Sequence, residues 1–188
     1  MPECKPHRRP VRWLLVQLEH VLALVGLGTL VYFTCFNLSR ITSDSMAPTL
    51  RGNDRRAGDL VLTERVSRRF RQPRRWEVIA FYKEDGVQVM KRVVGLPGER
   101  VQIRRGGRIV IDGQEVAPPA SLGFLRYVPI AKVILDKTVD CGDGYFVLGD
   151  NVHDSDDSRY NGPVPPDDVF GRAWLILTPK EHRGFVNP

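Results

Sequence analysis

The stretch VQIRRGGRIVIDGQEV, residues 101–116, reads as a small antiparallel meander. Its apolar runs are β-branched, and Gly106-Gly107 and Asp112-Gly113 separate them as two-residue loops, the signal of tight hairpins. Working outward, Leu60–Thr63, Val78–Tyr82, Val87–Val94, Gly144–Leu148 and Arg172–Leu177 are short β-branched or aromatic runs of the same kind. The 14 prolines and 17 glycines fall mainly between the runs, and no long segment after residue 40 keeps a helical period. Residues 39–188 are therefore expected to form a mainly β, loop-rich domain on a coiled β-sheet. Only 116–140 resists this reading; it could be a loop or a small lobe added to the sheet.

Before that domain, Val21–Phe36 reads VLALVGLGTLVYFTCF, without a charge. A span needs ~20 apolar residues, and Asn37-Leu38, or the amphipathic turn Trp13–Leu18, brings the run to that length. Lys5, Arg8, Arg9 and Arg12 make the preceding flank basic. The positive-inside rule then predicts three parts: a basic cytoplasmic N-terminus (1–20), a transmembrane anchor (21–38) and an extracytoplasmic domain (39–188). A cleaved signal peptide would show the same basic and apolar regions, but the run ends CFNLSRITS with no small-x-small site.

The 188 residues carry a net charge of +6, which suits an anionic membrane surface or nucleic acid without choosing between them. Cys4, Cys35 and Cys141 are far apart, so neither a disulfide framework nor a CxxC zinc site is expected.

Three stretches carry candidate chemistry. Ser43-Asp44-Ser45-Met46-Ala47-Pro48-Thr49 begins a few residues past the apolar run, and the nine residues from Phe36 to Ser45 reach at most ~30 Å. In VQVMKRVV (87–94), strand alternation puts Lys91 on a face with Val87, Val89 and Val93, and Arg92 on the other. Desolvation there would lower the lysine pKa enough for a neutral amine to accept a proton; an edge-strand lysine reaching water is the plain alternative. The third stretch, GDNVHDSDDSR (149–159), fails as an EF-hand loop because glycine and glutamate are missing at the required positions. His153 is the one well-placed histidine for a Ser/His/Asp triad, but a lone loop histidine is more often solvated.

Together and in this order the three stretches resemble the boxes of the type I signal peptidases (leader peptidases), over about residues 20–178. Gly58-Asp59 and Val78-Ile79-Ala80-Phe81 fit as well. The resemblance implies a mainly β membrane-bound serine endopeptidase that needs no metal or cofactor. Its substrates would be preprotein signal peptides, cut after small residues (Ala-x-Ala). It implies Ser45 as nucleophile and Lys91 as general base, with Ser43 joining the Ser45 backbone amide in the oxyanion hole. Ser155 would orient the lysine, Asp157 and Arg159 would form a supporting ion pair, and Asp150 would order the same loop. Thr42 stands where many members have proline, and Glu77 where aspartate is common. The interval from Glu99 to Gly149 is short, which implies a reduced second lobe over about 100–148. The location implied is the plasma (inner) membrane, with anionic lipids as neighbours.

Other readings lead elsewhere. Arg65, Arg68, Arg69, Arg71, Arg74 and Arg75 precede Trp76 and could belong to a basic binding module. Without aromatic interleaving for base stacking, no nucleic-acid partner is expected. A solvated face near anionic headgroups, with Trp76 at the interface, fits better. Self-cleaving repressors also use a Ser/Lys pair, but carry a DNA-binding domain where this chain has an apolar run. General secretion, pilus maturation and organellar processing stay open, with the composition leaning towards a bacterial general enzyme.

Overall fold

The computed structural model describes residues 9–52, 58–125, 127 and 137–186. The chain divides after Phe36 into two compact units. The first is dominated by helix α1, Arg9–Cys35. Within it Val11–Cys35 is long and apolar enough to cross a membrane, with a mean hydropathy of 1.9 over an 18-residue window. The hydroxyls of Thr29 and Thr34 donate back to the carbonyls of Val25 and Leu30 at 2.8 and 2.6 Å. Those bonds lower the cost of placing both side chains in an apolar medium. The helix differs from the expected 21–38 segment at both ends. It already includes Trp13–Leu18, while Phe36–Leu38 enter strand β1 (Phe36–Arg40), where sheet partners take up their backbone groups.

The second unit is built on two antiparallel sheets. The larger has the order β1, β2 (Leu60–Glu64), β10 (Val169–Thr178), β3 (Val78–Tyr82), β4 (Gln88–Gly95), β9 (Phe146–Leu148), with β11 (Gly184–Phe185) also on β10. Register shifts interrupt the pairing of β10 with β2 and β3, the β4–β9 pairing has one too, and such bulges bend and coil a sheet. The smaller sheet runs β7 (Gln114–Glu115), β6 (Arg108–Ile111), β5 (Arg100–Arg104), β8 (Thr138–Asp140). Domain and meander are thus mainly β, as the sequence pattern implies.

The meander shows how turn chemistry sets register. Ile111 pairs with Gln114 across Asp112-Gly113, at φ 50° and 84°, the two left-handed residues a tight hairpin requires. The other turn is longer than expected. Arg104 pairs with Arg108, so the loop is Arg105-Gly106-Gly107, with both glycines at positive φ. Of the irregular segment 116–140, Ala120–Leu122 forms a 3-10 turn and Thr138–Asp140 pairs with β5; residue 126 and 128–136 lie outside the described residues.

Strand β4 is an interior strand of the larger sheet, held by β3 on one side and β9 on the other. From Met90 to Gly95 every residue is buried. Its two faces feed different cores. Met90 packs with Met46, Val78, Ala80 and Phe170, and Val93 with Ile79, Phe81 and Val147. An interior strand leaves no edge from which Lys91 could reach water.

Candidate active site

Ser45 stands in the short 3-10 turn Asp44–Met46, anchored below by the fully packed Met46. Asp44 Oδ1 accepts from the Gly52 amide at 2.8 Å, closing the loop behind the serine. Gly52 must be glycine here, because a Cβ would come within 2.3 Å of Ser43 N. Gly149 plays the matching part on the other side. A Cβ there would lie 2.1 Å from Ser155 Oγ and 2.5 Å from the Ser45 carbonyl oxygen. The Asn151 amide donates to that same carbonyl at 3.1 Å, tying the third stretch to the serine turn.

Lys91 Nζ lies 2.5 Å from Ser45 Oγ, and Ser43 Oγ lies 3.2 Å from Ser45 Oγ. Lys91 is only 2% exposed. Burial pushes its pKa down to about 8 from 10.5; the charge of Asp157 opposes the shift and that of Lys83 adds to it. At neutral pH a useful fraction of the amine is therefore neutral. The ammonium form donates to the hydroxyl oxygen; the neutral amine can take the hydroxyl proton.

The third stretch is organised by Asp157. Its carboxylate accepts from Arg159 Nε at 2.8 Å, the Gly149 amide at 3.0 Å and Ser155 Oγ at 2.7 Å. The Ser155 proton thus goes to Asp157 rather than towards Lys91. Arg159 also donates to the carbonyls of Val152 and Ser155, so the loop is folded around one buried ion pair. His153 is exposed.

Two participants were not legible in the sequence. Arg92 is fully buried and holds Asp150 in a two-pronged ion pair, Nε–Oδ1 2.8 Å and Nη2–Oδ2 2.7 Å. Thr49 completes the cluster, donating to Asp150 Oδ2 at 2.5 Å while accepting from Arg92 Nη2 at 3.1 Å. So Asp150 joins the serine turn to β4 as well as ordering its own loop. The signal was an arginine in an apolar strand with an aspartate in a distant loop, but spacing alone cannot pair them.

The basic stretch also needs correction. Trp76 is not interfacial but packs in the core with Val94, Ile111 and Leu148, and its carbonyl accepts from Arg92 Nη1 at 2.6 Å. Arg71 and Arg75 are not free in solvent but pair with Glu77 and Glu99, at 2.8 and 2.6 Å. A large aromatic ring gains more from the core than from a surface, and carboxylates within reach take the nearest guanidinium groups.

Residues 12–178 match the model of the family described as signal peptidase, peptidase S26. The chain belongs to this family. It is 35% identical over 182 residues to signal peptidase I of Leptolyngbya laminosa, a match covering 92% of this chain and 81% of the relative. It is 26% identical over 171 residues to signal peptidase I V of Bacillus subtilis (strain 168), covering 85% and 94%. A crystal structure of a signal peptidase I from Enterococcus faecalis V583 matches at 33% identity with a TM-score of 0.42, over 57% of this chain and 98% of its own. As a signal peptidase family member the chain is a serine peptidase, and its N-terminal apolar helix fits membrane attachment.

Proposed function

We propose that this peptidase removes signal peptides by acyl transfer at Ser45, with Lys91 as general base. The observation that carries the reading is the 2.5 Å contact between Ser45 Oγ and a lysine 2% exposed. Neutral Lys91 takes the Ser45 proton as Oγ attacks the scissile carbonyl, and the resulting ammonium gives that proton to the departing amine. Ser43 Oγ and the Ser45 amide hold the oxyanion; losing one such donor typically costs ~10²–10³ in rate. Lys91 then activates the water that releases the acyl group. Ser155, Asp157, Arg159 and Asp150 keep the two reacting loops in register.

The substrate groove has a volume of about 410 Å³ and carries Ile41, Met46, Ala80, Met90 and Phe170 beside Ser45 and Lys91. An apolar floor of this kind suits apolar side chains before the cut, and membership of the signal peptidase family supports small ones of the Ala-x-Ala type. The basic flank of α1 supports a cytoplasmic N-terminus in the plasma (inner) membrane, with the catalytic domain on the outer face beside anionic lipids.

The test is cleavage of an Ala-x-Ala preprotein by the full chain in detergent. Ser45→Ala and Lys91→Ala should each abolish it, and His153→Ala should not. Normal cleavage by the lysine variant, or loss of activity on chelation, would overturn the dyad. A reporter fused after Pro188 should be active only outside the cytoplasm.

A further inference from the structure

Three aspartates of the third stretch act electrostatically on the Lys91 amine, and each is matched by a cation of its own. Asp150 takes Arg92 and Asp157 takes Arg159, in pairs that are almost wholly buried. Asp156 takes Lys83, which comes from the end of β3. Neither Lys83 nor Asp156 is a member of the dyad or of the oxyanion hole.

Strand alternation puts Lys83 beside the base. Ile79 faces Lys91 and Phe81 faces Val89 across the β3–β4 ladder, and the Lys83 amide continues it by donating to the Val87 carbonyl at 3.0 Å. Residues 79, 81 and 83 therefore share the face that carries Lys91. The turn that follows is fixed. The Gly86 amide donates to the Lys83 carbonyl at 2.8 Å, and the Val87 amide to Asp85 Oδ1 at 3.0 Å. Asp156 is held from two sides, by Lys83 Nζ and by Asn161 Nδ2, the latter at 2.7 Å. Both members of the pair line the groove that contains Ser45 and Lys91.

The charges oppose one another at the base. The hydrogen bond from Lys83, and after it that from Asn161, holds the Asp156 carboxyl below the ordinary carboxylate range. The Asp156 charge favours the ammonium form of Lys91, as those of Asp157 and Asp150 do, while the Lys83 charge works against it. The other charged groups lining the groove, Arg40 and Asp154, are exposed, and Arg40 donates to the Gly58 carbonyl at 2.9 Å. An ion pair whose side chains are 31% and 60% exposed adds little to stability, so bracing the fold is not its main effect.

We propose that Lys83 and Asp156 are positioning residues of the peptidase reaction: the pair offsets the exposed carboxylate beside the base, and Lys83 helps keep Lys91 a neutral amine. This rests on the reading of Lys91 as general base.

The test is the pH dependence of kcat/KM for an Ala-x-Ala preprotein, cut by the full chain in uncharged detergent at low salt. That profile follows the base of the free enzyme. Lys83→Met should raise the midpoint and Asp156→Asn should lower it, each by roughly half a pH unit, the effect of a unit charge ~10 Å away at an effective dielectric of about 40. The double variant should fall between the two, Lys83→Arg should keep the original midpoint, and molar salt should shrink both shifts. A pair that merely braced its loop would lower kcat in both single variants without opposite shifts. The proposal fails if the two midpoints move the same way, or if neither moves. Lys91→Ala separates the two readings. Normal cleavage by that variant overturns the base and this proposal with it, whereas an inactive Lys91→Ala beside unmoved midpoints overturns the pair alone.

Discussion

The two faces of β4 carry adjacent cations and treat them in opposite ways. On one face Lys91 is buried and, among the described residues, makes no ion pair, and burial disfavours its charged form. On the other, Arg92 is buried just as deeply but meets Asp150, Thr49 and the Trp76 carbonyl, which satisfy its guanidinium. Lysine suits the first place because its pKa yields to desolvation; arginine suits the second because it stays charged and forks onto a carboxylate. Burial is shared; the partners and each side chain's own acidity leave one cation able to lose its proton and hold the other charged.

The largest test removes the reactive side. Lys91→Ala should lower kcat/KM for a preprotein by about 10⁴-fold or more, as expected when one member of a nucleophile–base unit is lost. Next comes the structural side. Asp150→Asn or Arg92→Met leaves an uncompensated buried charge, costing about 3–5 kcal/mol. Thermal unfolding should then fall by roughly 10 °C, while the paired replacement Arg92→Met/Asp150→Leu should recover much of the loss. If the single and double variants unfold alike, the two faces differ less than the geometry implies.

A smaller effect separates the faces by pH. Between about 8 and 10.5 the folded lysine is neutral while the unfolded one is still protonated, so the unfolded chain binds more protons. Stability must therefore rise with pH across that window. Below pH 8 the burial of Lys91 costs about 3 kcal/mol. Lys91→Met should stabilise the neutral protein by about 1–3 kcal/mol and flatten the rise, whereas Arg92 variants should leave it in place. By the same sign kcat/KM should increase with pH through about 8. The smallest effect belongs to Ser155→Ala, which removes a donor to Asp157 and should lower kcat by roughly tenfold without moving the pH midpoint. A shifted midpoint would mean that Ser155 acts on the lysine directly.

Local patterns were enough to reveal much of this. The β-branched runs marked β2, β3, β4, β5, β6 and part of β10, and Asp112-Gly113 marked a hairpin, because each signal is confined to one strand or turn. Strands β1, β8 and β11 were not visible, since FNLSR, TVD and GF are strands only through the neighbours they pair with. The ordered boxes picked out Ser43, Ser45, Lys91, Asp150, Ser155, Asp157 and Arg159. They could not show that Ser155 donates to Asp157, that Asp150 is bound to Arg92, or that Trp76 is core while Phe70 faces solvent.

The sequence by itself determined the apolar helix, the mainly β domain and the residue types needed for amine-assisted serine chemistry, because periodicity, turn residues and side-chain acidity are local properties. Only the tertiary structure decided that Lys91 is desolvated, that it meets Ser45, and which arginine is paired. Burial and ion pairing depend on chain segments dozens of residues apart, and no local pattern encodes their distance.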